Sequence, residues 1–116
     1  MNLSKNIKRL EKIFLAEKLE YQEKSIISRK LIQKETGSIT LYAFDKDEVL
    51  SEHTTPFETL VYILEGMVEI TVKEELFKLK EGEIIILPEN IPHKFKALKK
   101  LKMVMISIKE DQKETD

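Results

Sequence analysis

The chain carries two histidines, His53 in "SEHTTPFETLVYILEG" and His93 in "LPENIPH", and any chemistry has to start from them. An imidazole can donate through one ring nitrogen and accept through the other, and it can ligate a metal. If the two rings meet, the space between them is a site. If they do not, each is a polar group that needs a hydroxyl or a backbone partner of its own. Pro88, Asn90 and Pro92 surround His93 directly after the apolar run "EIIIL". The two prolines remove amide donors where a sheet ladder would stop, which places His93 at a rigid corner.

Other chemistries are excluded by what is missing. Without cysteine there is no disulfide, thiol nucleophile or thiolate zinc site, and the composition suits a reducing interior. No Gly-x-Ser-x-Gly elbow occurs, no two carboxylates have a reason to face one cleft, and three glycines are too few for a phosphate loop. Twenty basic and twenty-one acidic residues give a net charge of -1, so neither nucleic acid nor an anionic membrane is an expected partner. The longest apolar runs, "LVYIL", "IIIL" and "MVMI", fall far short of the ~20 residues that span a bilayer. Glu11, Lys12, Glu17 and Lys18 interrupt the N-terminus before a signal-peptide core could form, and the expected location is the cytoplasm.

The elements that must position the histidines are strands. A length of 116 residues allows one domain with one core. After Tyr21, short runs rich in β-branched residues follow one another: "SIISRKLIQ", "SITLYAFD", "TLVYILEG", "VEITVK", "LFKLK", "EIIILP", "HKFKAL" and "LKMVMISIK". Alternation puts Val68, Ile70 and Val72 on one face, and sets His93, Phe95 and Ala97 against Lys94 and Lys96. "LVYIL" is apolar on both faces, so Leu60, Tyr62 and Leu64 need a cover as much as Val61 and Ile63 do. A partner barrel in a C2 homodimer, or the chain's own N-terminus, would provide it. In that N-terminus, Leu3, Ile7, Leu10 and Phe14 recur at helical spacing. Many short strands without helices between them favour an all-β sandwich or barrel.

The two histidine stretches resemble the paired motifs of the cupin superfamily. In the second motif, Gly82, Pro88, Asn90, His93 and Ala97 occupy the places of Gly, Pro, Gly, His and Asn. Asn90 is an intelligible exchange, because asparagine tolerates the left-handed conformation. In the first, Asp47, His53, Thr55, Thr59 and Gly66 stand where the family has Gly, His, His, Glu and Gly. The resemblance implies a double-stranded β-helix, or jelly-roll barrel, of the RmlC-like type. On that reading residues 25–109 are expected to form the barrel, 1–24 a helical or irregular segment packed on it, and 110–116 a disordered tail.

Full cupin sites use three histidines and a glutamate, and here two of those ligands are threonines. The resemblance implies a small stand-alone cupin; the residues that remain, His53 and His93 with Thr55, are read as binding a small polar or anionic ligand in a sensor or accessory role, with room for a weakly bound divalent metal. Its pocket residues are His53, Thr55, Thr59, His93, Phe95, Tyr42, Met103 and Met105, with the two methionines open as pocket wall or as core filling. The alternative is a metal-dependent oxygenase or isomerase. In it, Glu58 completes a set with His53 and His93 that holds iron, manganese, nickel or zinc. Regular pleating opposes that set: if Thr59 points inward, Glu58 points out, and only a bulge or loop conformation near Pro56 would turn it in.

Overall fold

The computed structural model describes residues 8–110. Nine strands make two antiparallel sheets: β1 (Ile26–Lys34), β2 (Gly37–Phe44), β3 (Val49–His53), β4 (Glu58–Glu65), β5 (Met67–Val72), β6 (Glu75–Lys80), β7 (Ile84–Leu87), β8 (His93–Ala97) and β9 (Leu101–Ile108). One sheet has the order β1-β2-β9-β4-β7 and the other β3-β8-β5-β6. Eight strands coincide with the apolar runs. The ninth, β3, reads "VLSEH", too polar to announce itself, and it is the strand that carries His53.

Between the sheets lies one core. Val61 and Ile63 of β4, Val68 and Ile70 of β5, Phe95 and Ala97 of β8, and Leu101, Met103 and Met105 of β9 all face into it. The period of two brings this about: residues one apart in sequence go to opposite faces, so one half of each strand packs and the other meets solvent or a cover. Both methionines belong to this core, Met103 at 0% and Met105 at 7% exposure.

A second, smaller cluster covers part of the outer face of the five-stranded sheet. Leu19 is buried there against Leu41, Ala43 and Val104, and Leu15, Tyr21 and Leu64 pack around it. The segment is fastened by polar contacts. Arg29 donates through Nη1 to the Lys18 carbonyl at 2.9 Å. The Lys102 ammonium donates to the Ala16 carbonyl, and the Tyr21 hydroxyl donates to Glu65 at 2.7 Å. Burial, and then the Glu65 carboxylate, push the Tyr21 phenol well above its usual value, so it stays a donor.

The helix expected over Leu3, Ile7, Leu10 and Phe14 is not there in the described residues; Leu3 and Ile7 lie outside them, as do residues 111–116 of the tail. Among the described residues, helical geometry is confined to one 3₁₀ turn, Leu15–Lys18. Leu10 takes φ 58, and both Leu10 and Phe14 are exposed. The physical reason is tertiary: Leu15 and Leu19 are the side chains that dock on the sheet, and Arg29 and Lys102 bind carbonyls of this segment. No helix among the described residues is long and apolar enough to cross a membrane.

Candidate functional site

The histidines meet because β3 and β8 are neighbours and His53 is the register partner of His93. The pairing slips between Leu50 and His53, an irregularity of the kind that re-aims a side chain at the rim of a sheet. Ring centroids stand 4.6 Å apart at 76°, edge to face. Phe95 supports both, 5.7 Å from His93 and 6.4 Å from His53.

The two rings are not equivalent. His53 is partly exposed, and its Nδ1 donates to the Ser51 carbonyl at 2.9 Å. A carbonyl can only accept, so the neutral ring keeps its lone pair on Nε2. His93 is 2% exposed, and neither of its nitrogens has a protein hydrogen-bond partner among the described residues. Burial first, and then the neighbouring His53, hold its imidazole below the ordinary histidine range. It is therefore a neutral ring near pH 7, with one donor and one acceptor unmet.

The facing sheet supplies hydroxyls. Thr59 is buried on the inner face of β4, and its Oγ1 lies 3.1 Å from the Ser107 hydroxyl. Thr55 serves the backbone instead. Its Oγ1 accepts from the Phe57 amide at 3.2 Å, and its carbonyl accepts from the Asn90 amide at 2.8 Å. Thr55 thereby ties the two histidine stretches together. Asn90 takes φ 60, as its place in the motif requires, and Asp47, also in a glycine place, takes φ 73. Phe95, Met103 and Met105 belong to the core, and Tyr42, partly buried, packs against it.

Glu58 does not join them. Its register partner is Ile108, one step from the inward pair Thr59 and Ser107, so it lies on the outer face and is exposed. Among the described residues, no three His, Cys, Asp or Glu side chains come together as a metal set. The three-ligand set of His53, His93 and Glu58 is thus not assembled, and the reason is the strand period. Two imidazoles leave a divalent ion largely hydrated and do not fit a firmly held catalytic metal.

Sequence reasoning missed the cleft beside this pair. A cavity of about 580 Å³ opens between the β5–β6 hairpin and β7, lined by Val72, Phe77, Ile85, Leu87, Pro88 and Ile91. Alternation does place Val72 among the inward residues. It carries no information on how far the sheet edges stand apart.

Two antiparallel sheets closed around an inward-facing histidine pair, with left-handed corners at Asp47 and Asn90, define a jelly-roll barrel. The chain belongs to the cupin family: residues 40–109 match the model of the cupin domain. It is similar to a conserved protein of unknown function, SPY1581, from Streptococcus pyogenes. Identity is 28% over 97% of this chain and 98% of that one, with a TM-score of 0.88. A cupin superfamily protein from Desulfitobacterium hafniense is 26% identical over 90% of this chain and 96% of its own, with a TM-score of 0.84. A cupin 2 conserved barrel domain protein from Leptotrichia buccalis is 38% identical over 81% of this chain, which spans 46% of that protein, with a TM-score of 0.79. A search of curated proteins finds no match.

Proposed function

We propose that this cupin binds a small polar or anionic molecule at the His53–His93 pair and serves as a sensor or accessory protein. One observation carries the reading: a buried histidine whose ring nitrogens both lack a protein hydrogen-bond partner among the described residues. Leaving a buried donor or acceptor unmet costs about 1–3 kcal/mol, and a fold recovers that cost when a ligand completes the hydrogen bonds. His53 Nε2 and the Thr59–Ser107 hydroxyls extend the polar surface that such a ligand would meet.

The metal-enzyme alternative needs a third protein ligand, and outward-facing Glu58 does not supply it. Untagged protein is therefore expected to hold well under one divalent ion per chain and to lose it on dialysis against a chelator, as elemental analysis would show. The ligand reading is tested on protein with ¹⁵N-labelled histidine, titrated with small carboxylates, phosphates and polyols. At least one class should shift the His93 and His53 ring resonances together. Silence of both rings across all three classes sinks the reading.

A further inference from the structure

The cavity and the histidine pair are one strand apart. On the inner face of the four-stranded sheet, Val72 of β5 lines the cavity and is the register partner of His93 on β8. In the five-stranded sheet, Leu87 of β7 lines it and is the register partner of Thr59 on β4. Adjacent strands lie about 4.8 Å apart. Moving inward from the cavity by one strand in both sheets therefore exchanges the aliphatic walls Val72 and Leu87 for the imidazole of His93 and the hydroxyl of Thr59.

Chemistry changes along this line from wholly apolar to hydrogen-bonding. The cavity wall of Val72, Phe77, Ile85, Leu87, Pro88 and Ile91 has no side-chain donor or acceptor, and its volume falls in the range of small-molecule pockets. Lys73, Glu74 and Glu75 sit at the hairpin end and give it a charged rim. Behind the lining residue Val72, one strand further in, stands His93, 2% exposed, with two nitrogens unmatched among the described residues. A ligand that is polar throughout would leave the cleft unused, and one that is apolar throughout would leave the imidazole unmet.

We propose that the ligand enters sideways between β6 and β7 and is amphipathic, an aliphatic chain in the cleft ending in an oxygen head group, hydroxyl or carboxyl, at His93. This rests on the reading that the histidine pair binds a ligand, and it adds the entry route and the chain. A hydroxyl can satisfy both sides of a neutral imidazole only with a neighbour such as Thr59 sharing the network. A carboxylate accepts from the ring N–H.

The probes are two matched series, straight-chain alkanols and alkanoates of four to eight carbons, titrated into the full chain with ¹⁵N-labelled histidine. In the series with the right head group, affinity should rise about fourfold per methylene until the cleft is filled, with the His93 ring shifting at every length. The tighter series identifies the head. His93→Phe should weaken every member about tenfold and leave the factor per methylene unchanged. Ile91→Trp, or Ile85→Trp if the first variant does not fold, should remove the gain with length and spare the shortest members. A ring shift whose affinity does not grow with chain length overturns the cleft while the histidine site stands. Gain with length under a silent His93 ring overturns both the placement of the head and the binding role of that histidine.

Discussion

At the residue scale the structure turns on His93, a neutral ring held where water does not reach it freely. Its folded-state value lies below the ordinary one, chiefly through burial. The unfolded chain therefore binds a proton at higher pH than the fold does. The stability this ring contributes is fully present above about pH 6.5 and is lost as pH falls through the folded value, with a slope of at most about 1.4 kcal/mol per unit. Denaturant melts of the wild type and His93→Phe at pH 7.5 and 5 should show the extra acid sensitivity in the wild type alone. Equal slopes would mean that the fold accommodates the imidazolium as readily as water does. Thr59 shows the same scale at work: a single residue step separates its inward hydroxyl from the outward Glu58 carboxylate, so that no third ligand joins the two imidazoles among the described residues.

Elements are held to their geometry by corners and by one strap. Gly66 and Gly82 both have positive φ, 91 and 87, yet their surroundings differ. A Cβ on Gly66 would run into the Lys100 carbonyl, whereas one on Gly82 would meet nothing within 4 Å. Gly66→Ala should cost about 3 kcal/mol or more, from backbone strain plus collision, and Gly82→Ala about 1 kcal/mol from strain alone. Equal costs in equilibrium unfolding would show that the β4–β5 corner can relax. The strap of residues 15–21 docks through Leu19, 6% exposed. Leu19→Ala is expected to cost about 2–3 kcal/mol, and hydrogen exchange should quicken in β1 and β2 beneath it while β5 and β8 stay protected. Loss of protection throughout would make the strap part of the global unfolding unit.

For the molecule as a whole, the strap covers only part of the outer face. Leu64, Ile39 and Ile106 pack against Leu19's cluster, but the register row that Ile39 and Ile106 begin runs on through Leu60 and Ile86, and with the neighbouring pair Tyr62 and Ile84 it continues across the sheet beyond that cluster. Tyr62, Ile84 and Ile86 are 38%, 51% and 55% exposed. A contiguous row of this kind is how interfaces differ from scattered surface apolars. A C2 dimer that packs this face on its copy is the expected assembly. Sedimentation at micromolar concentration should give a dimer for the wild type and a monomer for Ile86→Lys. A monomeric wild type would leave the row without a role in self-association.

Most of the strands were legible in the amino-acid order alone, because inward and outward residues alternate along each of them and β-branched residues mark their cores. So were the two corners around the histidines: Pro88, Asn90 and Pro92 constrain their own backbone locally, and Gly66 and Gly82 supply the turns that only glycine adopts cheaply. The direction of Glu58 stayed open in the sequence, since the period of two sends it outward only where no bulge near Pro56 turns it in, and the regular pairing of β4 decided it. Three further things waited for the packed chain. Strand β3 exists because β8 offers it a partner, not because "VLSEH" has strand character of its own. The N-terminal periodicity gave no helix in the described residues, since docking of Leu15 and Leu19 on the sheet outweighs a weak local preference. The cleft beside His93 was invisible, because residue alternation tells which way a side chain points, while the gap between two sheet edges depends on how far strands distant in sequence stand apart.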